Sequence, residues 1–265
     1  MDAKLQVLRE GPVARLRMQH PEVHNAFDAG LIAGLTKALA VLGDDASVRV
    51  VVLEGDGASF SAGADLHWMR DMARMSEADN REDSLALARL MRTLDELPKP
   101  TIARVHGAAF GGGVGLIACC DVAIGVPEAK FGLTEAKLGL LPAVISPYVI
   151  AAIGPRQARR WFATAEVFDA QTALQIGLLH QVVAEEQLDA AVRRQVDLLL
   201  KAGPVAAARA KSLVADMVAE TDGRAQDQSN AALIAALRVS AEGQEGLSAF
   251  LDKRTPSWAS REEKQ

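Results

Sequence analysis

Tyrosine occurs once in this 265-residue chain, and no block of basic side chains occurs at all. There are 29 Lys and Arg against 34 Asp and Glu, for a formal charge of -5. A nucleic-acid partner needs a basic face with aromatic platforms, so that class is excluded. No run of about 20 apolar residues is present, and none means no expected membrane span. The first ten residues, M-D-A-K-L-Q-V-L-R-E, have neither an apolar export segment nor an Arg-rich, acid-poor composition, so a cytoplasmic location is expected. The two cysteines, Cys119 and Cys120, are adjacent and cannot staple a loop. They are expected to be reduced core thiols, without the polar surroundings that activate a nucleophile.

Several chemistries are missing as well. His20, His24, His67, His106 and His180 are scattered, with no H-E-x-x-H and no Cys/His ligand spacing. No metal site is expected. G-x-G-x-x-G, G-x-x-x-x-G-K-[ST] and G-x-S-x-G are all absent. Ser61, in F-S-A-G-A, has no evident base and reads as a turn residue.

What is present is a core-forming chain, 49% hydrophobic, with glycine concentrated in one place. Pro98 and Pro100 precede Thr101–His106, a short strand pattern. Gly107 and then Gly111, Gly112, Gly113 and Gly115 follow, leading into an apolar run from Val114 to Cys120 that suits a buried helix. Three consecutive glycines are costly in entropy, so bare backbone must be needed there. Two readings stand. One is close helix–strand packing. The other is a helix N-terminus whose free N–H groups receive an anion or an oxyanion. A second strand-to-turn step, Arg49–Glu54 followed by Gly55-Asp-Gly57 and F-S-A-G-A-D-L, repeats the pattern. Two such turns can offer two donors to one developing enolate oxygen.

The rest of the chain alternates strand and helix up to about residue 183, which predicts an α/β body. Lys4–Glu10 and Val13–Met18 read as two strands around Gly11-Pro12. Asn25 or Asp28 is placed to cap a helix carrying Leu31, Leu35, Leu39 and Leu42. Val48–Leu53 is apolar throughout, as in a strand covered on both faces. Met72–Asp83 reads either as a lid or as an ordinary solvated helix, ahead of an amphipathic helix over Asp79–Leu97. Glu135 is an isolated acid in an apolar, glycine-containing segment, either a surface side chain or a functional carboxylate. Gly154-Pro155 marks a helix start, and Gly177–Val183 leads into an edge strand. From about Glu186 strand signals vanish and alanine rises, which predicts residues 1–200 as the core and 201–265 as a helical region. That region is too short for its own core and should pack on the body or on another subunit. The last residues read as a frayed tail.

In order, F-S-A-G-A-D-L, P-K-P-T-I-A-R-V-H-G-A-A-F-G-G-G-V-G-L, C-D-V-A-I and F-G-L-T-E-A-K-L-G-L-L-P resemble the enoyl-CoA hydratase/isomerase (crotonase) superfamily, from about Leu5 to Trp258. The resemblance implies a spiral of β-β-α units with a helical C-terminal region that assembles trimers or pairs of trimers. It implies an acyl-CoA thioester substrate, with coenzyme A as part of that substrate and no separate cofactor. The backbone N–H groups of Ala64 and Gly112 would form the oxyanion hole. Ala62, Gly63, Asp65 and Leu66, with Val23 and His24, would line the coenzyme A groove. Phe250 and Lys253 would reach a neighbouring subunit's coenzyme A.

Family hydratases carry two glutamates; Gly115 stands at the first position here, and Glu135 stands at the second. G-G-G-V-G-L, G-A-D-L-x-W-M and P-A-V-I-S-P-Y-V are most similar to a bacterial branch of 3-substituted glutaconyl-CoA hydratases. The resemblance implies 3-methylglutaconyl-CoA or isohexenylglutaconyl-CoA, with Gly115 leaving room for a branch beside C3. Met69, Met72 and Met75 favour the longer branch. His67, Arg70 and Arg74 are the candidates for the distal carboxylate, or else a solvated helix face. A single-glutamate isomerase and a non-catalytic thioester-binding protein are the alternatives.

Overall fold

A computed structural model describes residues 4–259 of the chain. The first strand pair forms where the alternation predicts it: β1 (Leu5–Glu10) and β2 (Val13–Met18) run antiparallel. The turn between them is Gly11 in the left-handed region at φ 58°. Helix α1 (Ala29–Asp44) starts at Asp28, whose carboxylate accepts from the Leu31 N–H at 2.8 Å. Such a cap is worth roughly 0.5–2 kcal/mol. Leu31, Leu35, Leu39 and Leu42 are buried along one face of α1.

Three similar units follow. β3 (Val50–Gly55) and β4 (Ser59–Ser61) precede α2 (Leu66–Met72) and α3 (Glu77–Asp95). β5 (Thr101–Val105) and β6 (Ala108–Phe110) precede α4 (Gly112–Cys119). β7 (Val122–Gly125) and β8 (Lys130–Gly132) precede α5 (Ser146–Thr164). The first strand of each unit joins one sheet and the second joins another, so the chain winds as a spiral. Together with β9 (Val167–Asp169) and β10 (Gln181–Val182), the sheets run β1-β2-β3-β5-β7-β10 and β4-β6-β8-β9. The steps β2-β3-β5-β7-β10 and β4-β6-β8 are parallel, while β8-β9 is antiparallel. All of β3 is buried, as its unbroken apolar run requires. Its one acid, Glu54, is held by Arg15 at 3.0 Å and Arg17 at 2.7 Å.

The chain then completes the body and turns wholly helical. α6 (Ala170–Ile176) leads to β10, and α7 (Glu185–Lys201) buries Leu188, Ala191, Val192 and Val196. α8 (Pro204–Ala219), α9 (Gly223–Val239) and α10 (Ala241–Leu251) follow. The short strands β6, β8 and β9, of three residues each, carry too little pattern to be read from the sequence. The expected helix start at Gly154-Pro155 is a break within α5, with Gly154 at φ 78°. Only part of the expected frayed tail falls within view, because residues 260–265 lie outside the described residues. Among the described residues no helix is long and apolar enough to cross a membrane.

Candidate active site

Two glycine turns meet around one aromatic ring. The Phe27 N–H donates to the Gly63 carbonyl at 2.6 Å, and the Asp65 N–H donates to the Phe27 carbonyl at 2.9 Å. This parallel bridge leaves the N–H of Ala64 pointing the other way. The Phe27 ring also lies on Gly112, where a Cβ would stand 2.5 Å from it. Gly63, at φ 84°, presses against the next turn: a Cβ there would stand 2.8 Å from the Phe110 carbonyl oxygen. Glycine is therefore required by close approach as well as by dihedral angle. The packing reading of the glycine cluster holds, and tight packing is what brings the turns together.

The N–H groups of Ala64 and Gly112 donate to no protein acceptor among the described residues. Gly112 is the first residue of α4, so its N–H belongs to the unpaired set at a helix start, where the helix dipole is positive. The Gly111 N–H, by contrast, is consumed by the Gly132 carbonyl at 2.9 Å. Two free donors on adjacent turns suit an oxygen that gains negative charge.

Glu135 faces this place from the 3-10 turn Thr134–Leu138 that follows β8. Its Oε1 lies 3.1 Å from where a Cβ on Gly111 would be. Its Oε2 is buried with no hydrogen-bond partner among the described residues. Burial pushes the carboxyl above its ordinary value of 4.5, and a backbone hydrogen bond offsets part of that. A half-buried carboxylate with an unpaired oxygen is primed to exchange a proton.

The remaining predicted residues divide into three groups. Val23, His24, Ala62, Gly63 and Asp65 are brought together: the Ala62 N–H donates to the His24 carbonyl at 2.9 Å, and His24 Nδ1 lies 3.1 Å from Ser59 Oγ. The Asp65 carboxylate is already engaged, capping α2 by accepting from the N–H groups of His67 and Trp68 at 2.8 and 3.1 Å. Leu66, His67, Arg70 and Arg74 lie exposed on and just after α2, and neither arginine forms an ion pair among the described residues. Phe250 and Lys253 are exposed at the end of α10, which packs on α9.

One expectation is corrected. The space over Gly115 is not open beside the site, because a Cβ there would stand 2.4 Å from Ile145 Cγ2. Glycine at 115 accommodates another side chain of the protein. Met72–Asp83 is tied to its neighbours. α3 starts at Glu77, Trp68 Nε1 donates to Asp83 at 3.3 Å, and the Asn80 amide donates to the Met72 and Met75 carbonyls at 2.9 and 3.3 Å. Cys119 and Cys120 are buried free thiols. Burial and Asp121 push Cys120 up to about 12, as suits a thiol packed in the core.

Sequence reasoning missed Phe27 and Ile145 and offered Asn25 only as a possible helix cap, a role that Asp28 takes. Asn25 is fully buried: its amide donates to the Asp56 and Ser59 carbonyls at 2.8 and 2.9 Å, and its Oδ1 accepts from the His20 N–H at 2.9 Å. It sits at φ 52°, a conformation asparagine tolerates, and that is the one signal available in H-N-A-F. Ser61, expected in a turn, is instead the last residue of β4, buried with its hydroxyl donating to the Asn25 carbonyl at 2.9 Å.

Two sheets wound as a spiral, with two unpaired backbone donors and one half-buried carboxylate near the meeting of their turns, define an α/β fold with a candidate site at those turns. The chain belongs to the enoyl-CoA hydratase/isomerase family, whose profile matches residues 9–261. It is 31% identical to the crotonyl-CoA hydratase of Syntrophomonas wolfei over 96% of both chains. Its structure is similar to that of an enoyl-CoA hydratase from Shewanella pealeana, with TM-score 0.93 and 44% identity over 96% of both chains. It is similar too to Pseudomonas aeruginosa AtuE, with TM-score 0.94 and 35% identity over 97% of this chain and 100% of that one. The fold is the crotonase fold, and the protein is an enzyme of the enoyl-CoA hydratase type acting on acyl-CoA thioesters.

Proposed function

We propose that this enzyme hydrates a 3-substituted glutaconyl-CoA, isohexenylglutaconyl-CoA ahead of 3-methylglutaconyl-CoA, in acyclic terpene or leucine breakdown. The observation that carries this reading is the single carboxylate. Glu135 faces the bare Gly111, while position 115 carries no acid and is covered by aliphatic carbon. A substrate branched at C3 is thus met by an apolar wall where a second carboxylate and its water would otherwise stand. A long branch cannot lie over Gly115, so it runs towards α2, where Met69 and Met72 are half-buried and Met75 is exposed. His67, Arg70 and Arg74 offer a cationic partner for the distal carboxylate.

The chemistry follows from the donors. The thioester carbonyl accepts from the Ala64 and Gly112 N–H groups. Glu135 takes a proton from water, and the hydroxide adds at C3. The electron pair of the C2–C3 double bond moves towards the carbonyl oxygen, which the two N–H groups hold as an enolate. Glu135 then returns the proton to C2, restoring the thioester. Losing one such donor costs about 3 kcal/mol in the barrier. No cofactor beyond the coenzyme A of the substrate takes part. We place the enzyme in the cytoplasm as a trimer or pair of trimers, with residues 1–200 as catalytic core and 201–265 as the assembly region, where Phe250 and Lys253 meet a neighbour's coenzyme A.

One carboxylate equally suits a double-bond isomerase that shuttles a proton between C2 and C4. Supplying crotonyl-CoA, 3-methylglutaconyl-CoA and isohexenylglutaconyl-CoA in heavy-oxygen water separates these readings. Label enters the product of a hydratase and not that of an isomerase. Preference for a glutaconyl ester supports the proposal; turnover of crotonyl-CoA alone overturns its substrate. Thioester binding without turnover, unchanged in Glu135→Gln, would indicate a non-catalytic binding protein.

A further inference from the structure

Gly111 caps the start of α4 and Gly115 lies in its first turn, with the Gly115 N–H donating to the Gly111 carbonyl at 3.1 Å. Glu135 lies against the first. Against the second, a Cβ would meet Ile145 Cγ2 at 2.4 Å, Ile145 Cβ at 2.9 Å and Met91 Cε at 3.2 Å. Real Cβ atoms do not approach this closely, so the volume that a side chain at 115 would enter is already filled. Ile145 comes from the start of α5, where its carbonyl accepts from the Val149 N–H at 3.1 Å. Ile145 is 3% exposed and Met91 is fully buried. A β-branched side chain has few χ1 rotamers, and packing on Met91 limits them further. The space over Gly115 is therefore closed by apolar, stiffly held side chains.

We propose that Ile145 is the specificity-determining residue of the acyl site: it fills the space over Gly115, whose N–H is bonded to the carbonyl of the Gly111 that Glu135 faces, and sets how large a C3 substituent the site admits. The identity of the reacting carbon rests on the hydratase reading above, while the filling of the space does not. A branch directed at α4 meets the Ile145 methyls. Shortening Ile145 opens this volume, and enlarging it closes the site to branched acyl groups.

The test compares wild type with Ile145→Ala, Ile145→Val and Ile145→Phe, each checked for native circular dichroism. Two ratios are measured: kcat/KM for 3-methylcrotonyl-CoA over crotonyl-CoA, and Kd for the saturated esters 3-methylbutanoyl-CoA over butanoyl-CoA. A methylene's worth of pocket space changes discrimination by about 10–200-fold. Ile145→Ala is expected to favour the branched ester by about tenfold or more in both ratios, Ile145→Val by less, and Ile145→Phe the reverse. If Ile145→Ala fails to fold, the Val and Phe variants decide by their opposite signs. Ratios unchanged in folded variants overturn the assignment. Should wild type hydrate neither ester, the affinity ratio still judges Ile145, and turnover of the glutaconyl esters separately judges the proposed function.

Discussion

The body and the C-terminal helices use apolar residues in opposite ways. In the body, α1 hides five large aliphatic side chains and α7 hides four residues against the sheet. In α8 and α9, helices of similar length, no residue is buried. Val218 is 80% exposed and Val239 is 79% exposed. Helices that expose such residues have an unfinished surface, whereas the site they accompany is preorganised by buried contacts. The tether between the regions is polar. Arg49 donates to the carbonyls of Trp258 at 3.1 Å and Ala202 at 2.6 Å, and Lys211 donates to the Leu94 carbonyl at 3.3 Å and to the Asp121 carboxylate at 3.2 Å. The candidate site thus lies where packing is complete, and the exposed apolar side chains lie where it is not.

The sharpest way to test that division is to disturb the site without touching the helices. Gly112→Pro deletes one oxyanion donor and forces a ring of atoms onto Phe27, so turnover is expected to vanish while the native mass persists. A folded, active variant in a steady-state assay would contradict the donor assignment. Glu135→Gln should lower kcat by at least about a hundredfold, with thioester affinity retained by calorimetry. Near-normal rates would remove Glu135 from the mechanism.

The helices should respond in the converse way. Val218→Asp combined with Val239→Asp is expected to reduce the assembly to monomers by sedimentation velocity, leaving the far-UV spectrum unchanged. A mass equal to that of wild type would refute an assembly role for this face. Phe250→Ala with Lys253→Ala should raise KM for the full coenzyme A ester by about tenfold, as for one or two lost contacts, and spare a short N-acetylcysteamine ester. Equal changes for both esters would place these residues away from the nucleotide.

The smallest effect is in pH. Because burial raises the Glu135 pKa above 4.5, the acid limb of kcat/KM should lie above that value. The linked stability has a definite sign. The folded state binds the proton more tightly, so stability is fullest below the unfolded carboxyl's pKa and falls as pH rises through the folded one. Glu135→Gln should therefore melt higher than wild type above this window, and the gain should shrink in acid. A pH-independent difference in melting temperature would mean that the carboxylate is not desolvated.

Much of this was legible along the chain because it is local. The run Val50–Gly55 is buried on both faces, Asp28 caps α1, and Gly177 at φ 91° closes α6. The order of glycine turns and the solitary Glu135 likewise needed no coordinates, and neither did the rise of helix after Glu186. Position 115 shows where such reading stops. Its glycine signals missing bulk, and linear sequence does not say whether substrate, water or protein fills the gap. Ile145 fills it from 30 positions away, through an approach set by the packing of α5 on α4. Phe27 beneath Gly112 and Asn25 beneath the second turn are likewise contacts between distant segments. Periodicity and turn chemistry are properties of neighbours in sequence; the close packing that shapes a pocket is a property of neighbours in space.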